Sequence, residues 1–420
     1  MERRETYNLE FKADLSNTFL KTVSAFANYG GGSILFGVND QGEPVGLENP
    51  IETSLKIENK INDSLKPIPP FHINLNKSDH TIELIVSEGF AKPYLYNSKA
   101  YKRSDSSTVE VDRLELNRLV LEGTNQTYEN LPSKFQPLTF QVLEEKLKQE
   151  LNIANLNQDI LKTLNLYSDL SGYNIAAELL ADLNSFPGLD MVVFGSDIDE
   201  FSDRVTIEKV SVLNQLDSAM AYFRKNYSSE RIIGSKRQRE FLIPENAFRE
   251  ALANAIVHRA WDIRASIHIS MYKNRIEIAS PGGLPAGLSK GEYLSGHISV
   301  LKNPILANVF FRLKYIEMFG TGIRRIQFSY QESIIKPEFK ISENSIVVIL
   351  PLVSSSLNGF DTDEQTVYLF LSKGSPATRL EIENATGFGK AKVIRTLNQL
   401  IEKNAVAKIG IGRSTRYSIL

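Results

Sequence analysis

Between residues 388 and 420 the chain carries seven cations, Lys390, Lys392, Arg395, Lys403, Lys408, Arg413 and Arg416, against one acidic side chain, Glu402. The formal net charge of the whole chain is only −2, so this is a local excess. A basic patch breaks no bonds; its chemistry is to hold a polyanion through successive phosphates. A second group is Glu250, Asn254 and His258, spaced i, i+4 and i+8 beside Ala247, Ala251 and Ala255. On a helix this spacing makes a polar stripe, and Glu250 and Asn254, one turn apart, can face one ligand. Composition removes other chemistries. With no cysteine there are no disulfides, thiolate metal sites or cysteine nucleophiles. The five histidines (His72, His80, His258, His268 and His297) include no pair at zinc-ligand spacing.

The terminal cations need a scaffold, and the apolar pattern supplies one. Asp363 to Ser372 reads as a helix with Val367, Phe370 and Leu371 inward, and Arg379 to Ala385 as a second, capped by Thr378 and ended by Gly387. A third helix, Gly389 to Asn404, puts Val393, Leu397, Leu400 and Ile401 on one face. Two strands follow, Val406–Ile409 and Thr415–Ile419, around a Gly410-Ile411-Gly412-Arg413 turn. Three helices and a hairpin at these lengths resemble a winged helix-turn-helix. The resemblance implies DNA as partner. The third helix presents Lys390, Lys392, Arg395 and Asn398 to a major groove, while Arg413 and Arg416 on the wing reach phosphates. Regulators of this kind commonly read paired half-sites, which makes a homodimer an expectation, although no heptad seam announces one. The same scaffold used for protein contacts alone is the other reading.

Ahead of this module, 420 residues leave room for further domains, two to four in all. The 42% hydrophobic and 23% charged fractions are those of a folded protein. Loop composition over 123–137 and 353–363 marks boundaries, dividing the chain into 1–122, a mixed intermediate region 138–239, 240–352 and 360–420. The N-terminus has no apolar leader and no run is long enough to span a membrane, so a cytoplasmic location is expected. In the first segment a helix is predicted from Asp14 to Tyr29, closed by Gly30-Gly31-Gly32, with strands at Ser33–Val38, His72–Leu75 and Thr81–Val86. From Thr139 to about Asn174 the pattern is helical and amphipathic.

Arg4-Glu5, Asn8-Leu9-Glu10-Phe11-Lys12, Ala25-Phe26-Ala27-Asn28, Leu35-Phe36-Gly37-Val38-Asn39-Asp40 and Val45-Gly46 occur in this order. Together they resemble the Schlafen AlbA-type domain over roughly the first 122 residues. In bacterial chains the family is read as DNA-binding. In animal relatives three carboxylates form a metal-dependent ribonuclease site, and Glu5, Glu10 and Asp40 match them by position. This gives the alternative function, a metal-dependent nuclease. Convergent carboxylates suit a hard cation such as Mg²⁺ or Mn²⁺ and phosphodiester hydrolysis. A spacing of five, however, puts Glu5 and Glu10 on opposite faces of a straight strand, so they converge only if the chain bends near Tyr7-Asn8. Asp40 has a turn explanation of its own.

The stripe on the helix opened by Pro244 is followed by Ile276-Glu277-Ile278-Ala279-Ser280-Pro281-Gly282-Gly283, Asn303-Pro304, Glu317 and Gly320-Thr321-Gly322. This order resembles a divergent GHKL-type ATPase domain over about 240–352. The resemblance implies that Glu250 activates a water, that Asn254 holds Mg²⁺ against the phosphates of ATP, and that Gly282, Gly283, Gly320, Thr321 and Gly322 line the nucleotide. Backbone N–H groups after Gly320 suit phosphate oxygens. The sequence departs from the family where an aspartate reads the adenine amino group: Ser280 stands there. The expected fold is α+β and multidomain, with an AlbA-type α/β domain, a GHKL-like α/β sandwich and a winged helix. The expected function is a DNA-binding transcriptional regulator modulated by ATP and Mg²⁺, with neither ATPase nor nuclease activity favoured.

Overall fold

The structure, a computed structural model, describes residues 4–195, 199–233, 236–285, 287–296, 298, 300–317, 320–331, 333, 335–353, 360–372, 376–403, 405–410, 412 and 415–419, with 229–240 described by backbone alone. Two compact units emerge. One comprises residues 1–136, 165–176 and 285–288, the other 137–164, 177–284 and 289–420. No helix among the described residues is long and apolar enough to cross a membrane.

In the first unit, β1 (Leu9–Lys12), α1 (Phe19–Asn28) and β2 (Gly32–Phe36) are followed by α2 (Pro50–Ser64), β3 (Leu65–Lys66), β4 (Phe71–Asn76) and β5 (Thr81–Val86). The sheet order is β1-β2-β5-β4, with β1 parallel to β2 and the other pairs antiparallel. Helix α1 starts at Phe19 rather than Asp14. Short polar side chains before it bond locally, Asp14 Oδ1 accepting from the Leu15 N–H and Ser16 Oγ meeting Thr18 Oγ1, which competes with helix. Nearly every side chain of α1 is buried, because the helix lies among β5, α2, β6 (Leu95–Tyr96), β7 (Tyr101–Ser104) and β8 (Ser107–Glu110). Its Asn28 amide is spent on the Tyr94 backbone, donating to the carbonyl at 3.0 Å and accepting from the N–H at 2.8 Å. The glycine stop permits close passage: a Cβ on Gly31, at φ +73°, would lie 2.9 Å from the Val86 carbonyl oxygen. Helix α2 went unpredicted, although Asn49-Pro50 with Glu52 is a cap signal; Asn49 Oδ1 accepts from the Glu52 N–H. Helix α3 (Arg113–Gly123) follows, capped by Asp112.

The predicted helical stretch from Thr139 to Asn174 breaks up. Helix α4 (Gln141–Leu151) ends at Asn152, which takes φ 53°, a left-handed conformation that asparagine tolerates. A short α5 (Gln158–Thr163) follows, then a hairpin of β9 (Tyr167–Ser168) and β10 (Gly172–Tyr173) belonging to the first unit.

After α6 (Ile175–Leu180), the second unit is built on β11 (Leu189–Phe194), β12 (Phe201–Ile207), α7 (Val212–Tyr227), β13 (Ser228–Ile233), β14 (Lys236–Phe241), α8 (Glu245–Val257), β15 (Ile267–Tyr272) and β16 (Arg275–Pro281). It continues with α9 (Lys290–Ser295), α10 (Pro304–Arg312), α11 (Gly322–Phe328), β17 (Glu338–Ile341) and β18 (Ser345–Pro351). The six-stranded sheet runs β12-β11-β15-β16-β18-β17, with only β11 and β15 parallel. Alternate residues Met191, Ile269, Met271, Ile276, Ile278 and Leu350 are buried, the period of a sheet with one covered face. Helices α7 and α8 pack against it and meet through Phe223 and Phe248, stacked at 4.3 Å.

The chain ends with α12 (Thr362–Ser372), α13 (Arg379–Thr386), α14 (Lys390–Glu402) and the antiparallel pair β19 (Val406–Ile409) and β20 (Arg416–Ile419). They share one core of Val367, Leu371, Ile382, Val393, Leu397, Leu400 and Val406. The tip of the β15–β16 hairpin touches this group, Asn274 Nδ2 donating to the Ser372 carbonyl at 3.3 Å.

Candidate functional site

The first candidate is the carboxylate set. Thr6 and Leu9 bridge across a turn at Tyr7 and Asn8, so the bend that convergence requires is present. It carries Glu5 back onto β1, where Oε1 accepts from the Phe11 N–H at 2.8 Å. Glu10 is only 5% exposed and both its oxygens are taken. Oε1 meets Lys12 Nζ at 2.7 Å. Oε2 accepts from Thr22 Oγ1 at 2.7 Å and from Arg103 Nη1. Hairpin β7–β8 delivers Arg103, which also donates to Thr108 Oγ1 and the Thr6 carbonyl. Two cations on one carboxylate satisfy it and repel a dication. Glu5 and Asp40 do share a cleft of about 310 Å³ with Arg4, Asp105 and Ser106, and Glu10 does not line it. Asp105 there pairs with Arg4 at 3.7 Å. Asn39, rather than Asp40, organises the adjoining turn, its Oδ1 accepting from the Gln41 and Glu43 N–H groups. Among the described residues no three acidic or histidine side chains are grouped to hold a metal.

The second candidate is the stripe on α8. Glu250 is buried, and burial raises its carboxyl pKa above the usual range while Arg249 and Arg325 pull it down. Asn254 Nδ2 lies 3.4 Å from Glu250 Oε1. The start of α11 rests on this pair: a Cβ on Gly322 would fall 2.5 Å from Asn254 Nδ2 and 2.8 Å from Glu250 Oε1. Three sequence-selected residues are therefore brought together, and a side chain at Gly322 would push aside the ends of the other two. Glu250 Oε2 and Thr321 Oγ1 are buried without a hydrogen-bond partner among the described residues, unusual for native polar atoms. Gly320, at φ +67°, turns the chain into this contact.

The base-reading end differs. Ser280 Oγ donates to the Ala255 carbonyl at 2.8 Å and so is committed to α8. Gly282, at φ +98°, is pressed toward Ala260 and Lys302, and a Cβ on Gly283 would lie 2.2 Å from the Glu343 carbonyl oxygen. Lys302, which sequence reasoning missed, donates to the Gly283 carbonyl. Burial, and next Lys302, push His258 down to about 4, keeping it neutral. Asn303 is structural: its Nδ2 donates to the Val257 and Arg259 carbonyls at 2.7 and 2.8 Å, closing the end of α8. The acid–amide half, with its two orphaned oxygens, fits a Mg²⁺–phosphate group. The base half has, in place of a carboxylate acceptor for an adenine amino group, the Ser280 hydroxyl that is bonded to α8.

The third candidate is the basic module. Thr378 and Glu381 form a capping box on α13, and Gly387, at φ +70°, closes it before α14. Burying Val393, Leu397 and Leu400 fixes the rotation of α14, so Lys390, Ile394, Arg395 and Asn398 are exposed. The cations are not equivalent. Lys392 is only partly exposed, 2.7 Å from Asp363 and 3.9 Å above the Phe388 ring. Arg395 stands 3.8 Å from the same Asp363, and Lys403 is 2.7 Å from the buried Glu364. Arg416 donates to the Pro376 carbonyl and sits 4.0 Å from Glu381. Lys390 and Lys408 are exposed and form no ion pair among the described residues. Arg413 lies outside the described residues. Over 361–420 nine cations face six acids; α12 and α13 thus dilute the excess read from the last 33 residues.

Two family models match segments of the chain. Residues 5–112 match the one described as "Schlafen, AlbA_2", and residues 264–350 the one described as "Putative ATP-dependent DNA helicase recG C-terminal". The chain thus carries a Schlafen AlbA_2 segment and, after it, a RecG-like, ATPase-like segment. The second match begins after α8, so Glu250 and Asn254 fall outside it, and neither match reaches α12–α14. No curated protein matches. Similar solved structures include the DIP2311 protein from Corynebacterium diphtheriae, 18% identical over 98% of this chain and 92% of that one with a TM-score of 0.47. Another is the N-terminal domain of a putative ATP-dependent DNA helicase RecG-related protein from Nitrosomonas europaea. It is 25% identical over 25% of this chain and 80% of that one, with a TM-score of 0.19.

Proposed function

We propose that the chain is a DNA-binding transcriptional regulator whose last three helices and hairpin are a winged helix-turn-helix, with ATP and Mg²⁺ as an input at α8. The observation that carries this reading is the outer face of α14. Lys390, Arg395 and Asn398 are exposed there on a helix whose opposite face is fully committed to the core. That is the arrangement a recognition helix needs: an anchored back and donors on the front. The acidic neighbours do not cancel it. Arg395 and Asp363 are 3.8 Å apart with the arginine side chain 67% exposed, and such pairs are worth about 0–1 kcal/mol.

The nucleotide input is supported by the match over 264–350 and by the pairing of buried Glu250 with Asn254 under Gly322. Bound there, Mg²⁺-ATP supplies concentrated charge; Asn254 orients it, and the unpartnered oxygens of Glu250 and Thr321 gain partners. Hydrolysis is not part of the proposal. Nor is the nuclease, because Arg103 and Lys12 already occupy Glu10.

Fluorescence anisotropy of a labelled mixed-sequence duplex, titrated with the full chain over a salt series, tests the DNA reading. Lys390→Ala and Lys390→Gln should each make the slope of log K against log salt shallower by about 1. Slopes equal to that of the unaltered chain refute the placement of α14 on DNA. For the nucleotide, Mg²⁺-ATP should raise the melting temperature and Asn254→Ala should remove the rise; a rise that survives the substitution refutes that residue's role.

A further inference from the structure

Asp363 occupies an odd place for an acid in a module with excess positive charge. It lies in the first turn of α12, where the helix dipole favours a negative charge. From there its two oxygens reach across to α14, Oδ1 to Lys392 at 2.7 Å and Oδ2 to Arg395 at 3.8 Å. These are two of the five cations that sequence analysis assigns to nucleic acid. The carboxylate is 30% exposed, so it faces the same solvent, and any ligand that enters there. Lys392 is held from two sides, by Asp363 and by the face of Phe388. Among the described residues Arg395 has the carboxylate alone.

We infer that Asp363 is a specificity-determining positioning residue: it withholds Lys392 and Arg395 from indiscriminate phosphate contact and presents Arg395 in one orientation to base edges. The inference rests on the DNA reading above. A guanidinium free to rotate takes the nearest phosphate in any sequence. One steadied by a carboxylate gives up that contact cheaply only where another acceptor pair, such as the O6 and N7 of guanine, replaces it. The negative charge also repels the backbone wherever the match is poor, which is discrimination by penalty. A carboxylate that merely stapled α12 to α14 would contribute to folding and leave the response to DNA unchanged.

The experiment compares the full chain with Asp363→Asn, which keeps the side-chain shape and removes the charge. Binding of a mixed-sequence duplex is measured over a salt series, and sequences enriched from a random duplex pool are read out; thermal unfolding checks the fold. The inference expects Asp363→Asn to bind the mixed duplex several-fold more tightly. Its salt slope should steepen by about one to two as the released cations find phosphates, and its enriched sequences should be less uniform. In an Arg395→Ala background the same change should steepen the slope by less. If the unaltered chain binds with salt dependence and Asp363→Asn leaves slope and enrichment as they were, the inference is wrong and the DNA reading stands. Retention of duplex by neither protein at low salt overturns both. Retention by Asp363→Asn alone supports the withholding role directly.

Discussion

Arg103→Met should unfold the first unit more readily, and the cost can be worked from its surroundings. Glu10 and Arg103 have side chains only 6% exposed, in contact with each other. Removing the arginine strands a carboxylate in a site that Thr22 and a partly exposed Lys12 compensate in part. One-sided removal from a buried pair costs about 3–5 kcal/mol, and the remaining lysine places this case near the lower end, about 3 kcal/mol. Glu10→Leu should cost a similar amount, since it strands the guanidinium on Thr108 and the Thr6 carbonyl. Together the two changes should cost less than their sum by about 1–3 kcal/mol. Hydrogen exchange in β1 and β2 reads the loss. The one tryptophan, Trp261, lies in the other unit, so its fluorescence is a built-in control that should not move. A loss below about 1 kcal/mol in those strands refutes the assignment of Glu10 to a closed ion pair. So would Mn²⁺-dependent cleavage of nucleic acid that Glu10→Gln abolishes while exchange protection is unchanged, because a satisfied carboxylate has no oxygen to give a metal.

Two further outcomes concern the second unit. Gly322→Val drives the ends of the Glu250 and Asn254 side chains from their places and should cost about 1–3 kcal/mol, read from unfolding followed by Trp261 fluorescence; an unchanged midpoint contradicts the close approach. His258, pushed from 6.5 down to about 4 in the folded chain, binds its proton more readily when unfolded. Its contribution, up to about 3 kcal/mol, is complete above about pH 6.5 and is lost as pH falls toward 4. The stability gap between the unaltered chain and His258→Gln should narrow over that window, and a gap independent of pH refutes the neutral imidazole.

Sequence reading placed the elements best where one face is buried and the chain is punctuated. α14 and α13 each fall within a residue or two of expectation, because capping residues and apolar periods agree there. α2 was missed because its apolar positions barely form a stripe; only Ile57 and Ile61 are buried. The stretch after Thr139 was overextended because the period carries no sign of asparagines in left-handed conformations. For the sites, helical spacing alone paired Glu250 with Asn254. It had no access to Arg103, 93 residues from Glu10, or to Asp363, across the module from Arg395. Partners supplied by distant elements decide whether a charged group is available, and local spacing does not contain them.

Asn274 touches more than its own turn. Its carbonyl accepts from the Leu352 N–H at 3.0 Å, where the sheet's last strand leaves, and its amide holds the final carbonyl of α12. A single residue at the hairpin apex therefore bonds both the start of the connection leaving the six strands and the far end of α12. A shift of the apex would therefore be passed to the C-terminal end of α12 and, through the core that α12 shares with α14, to the basic helix.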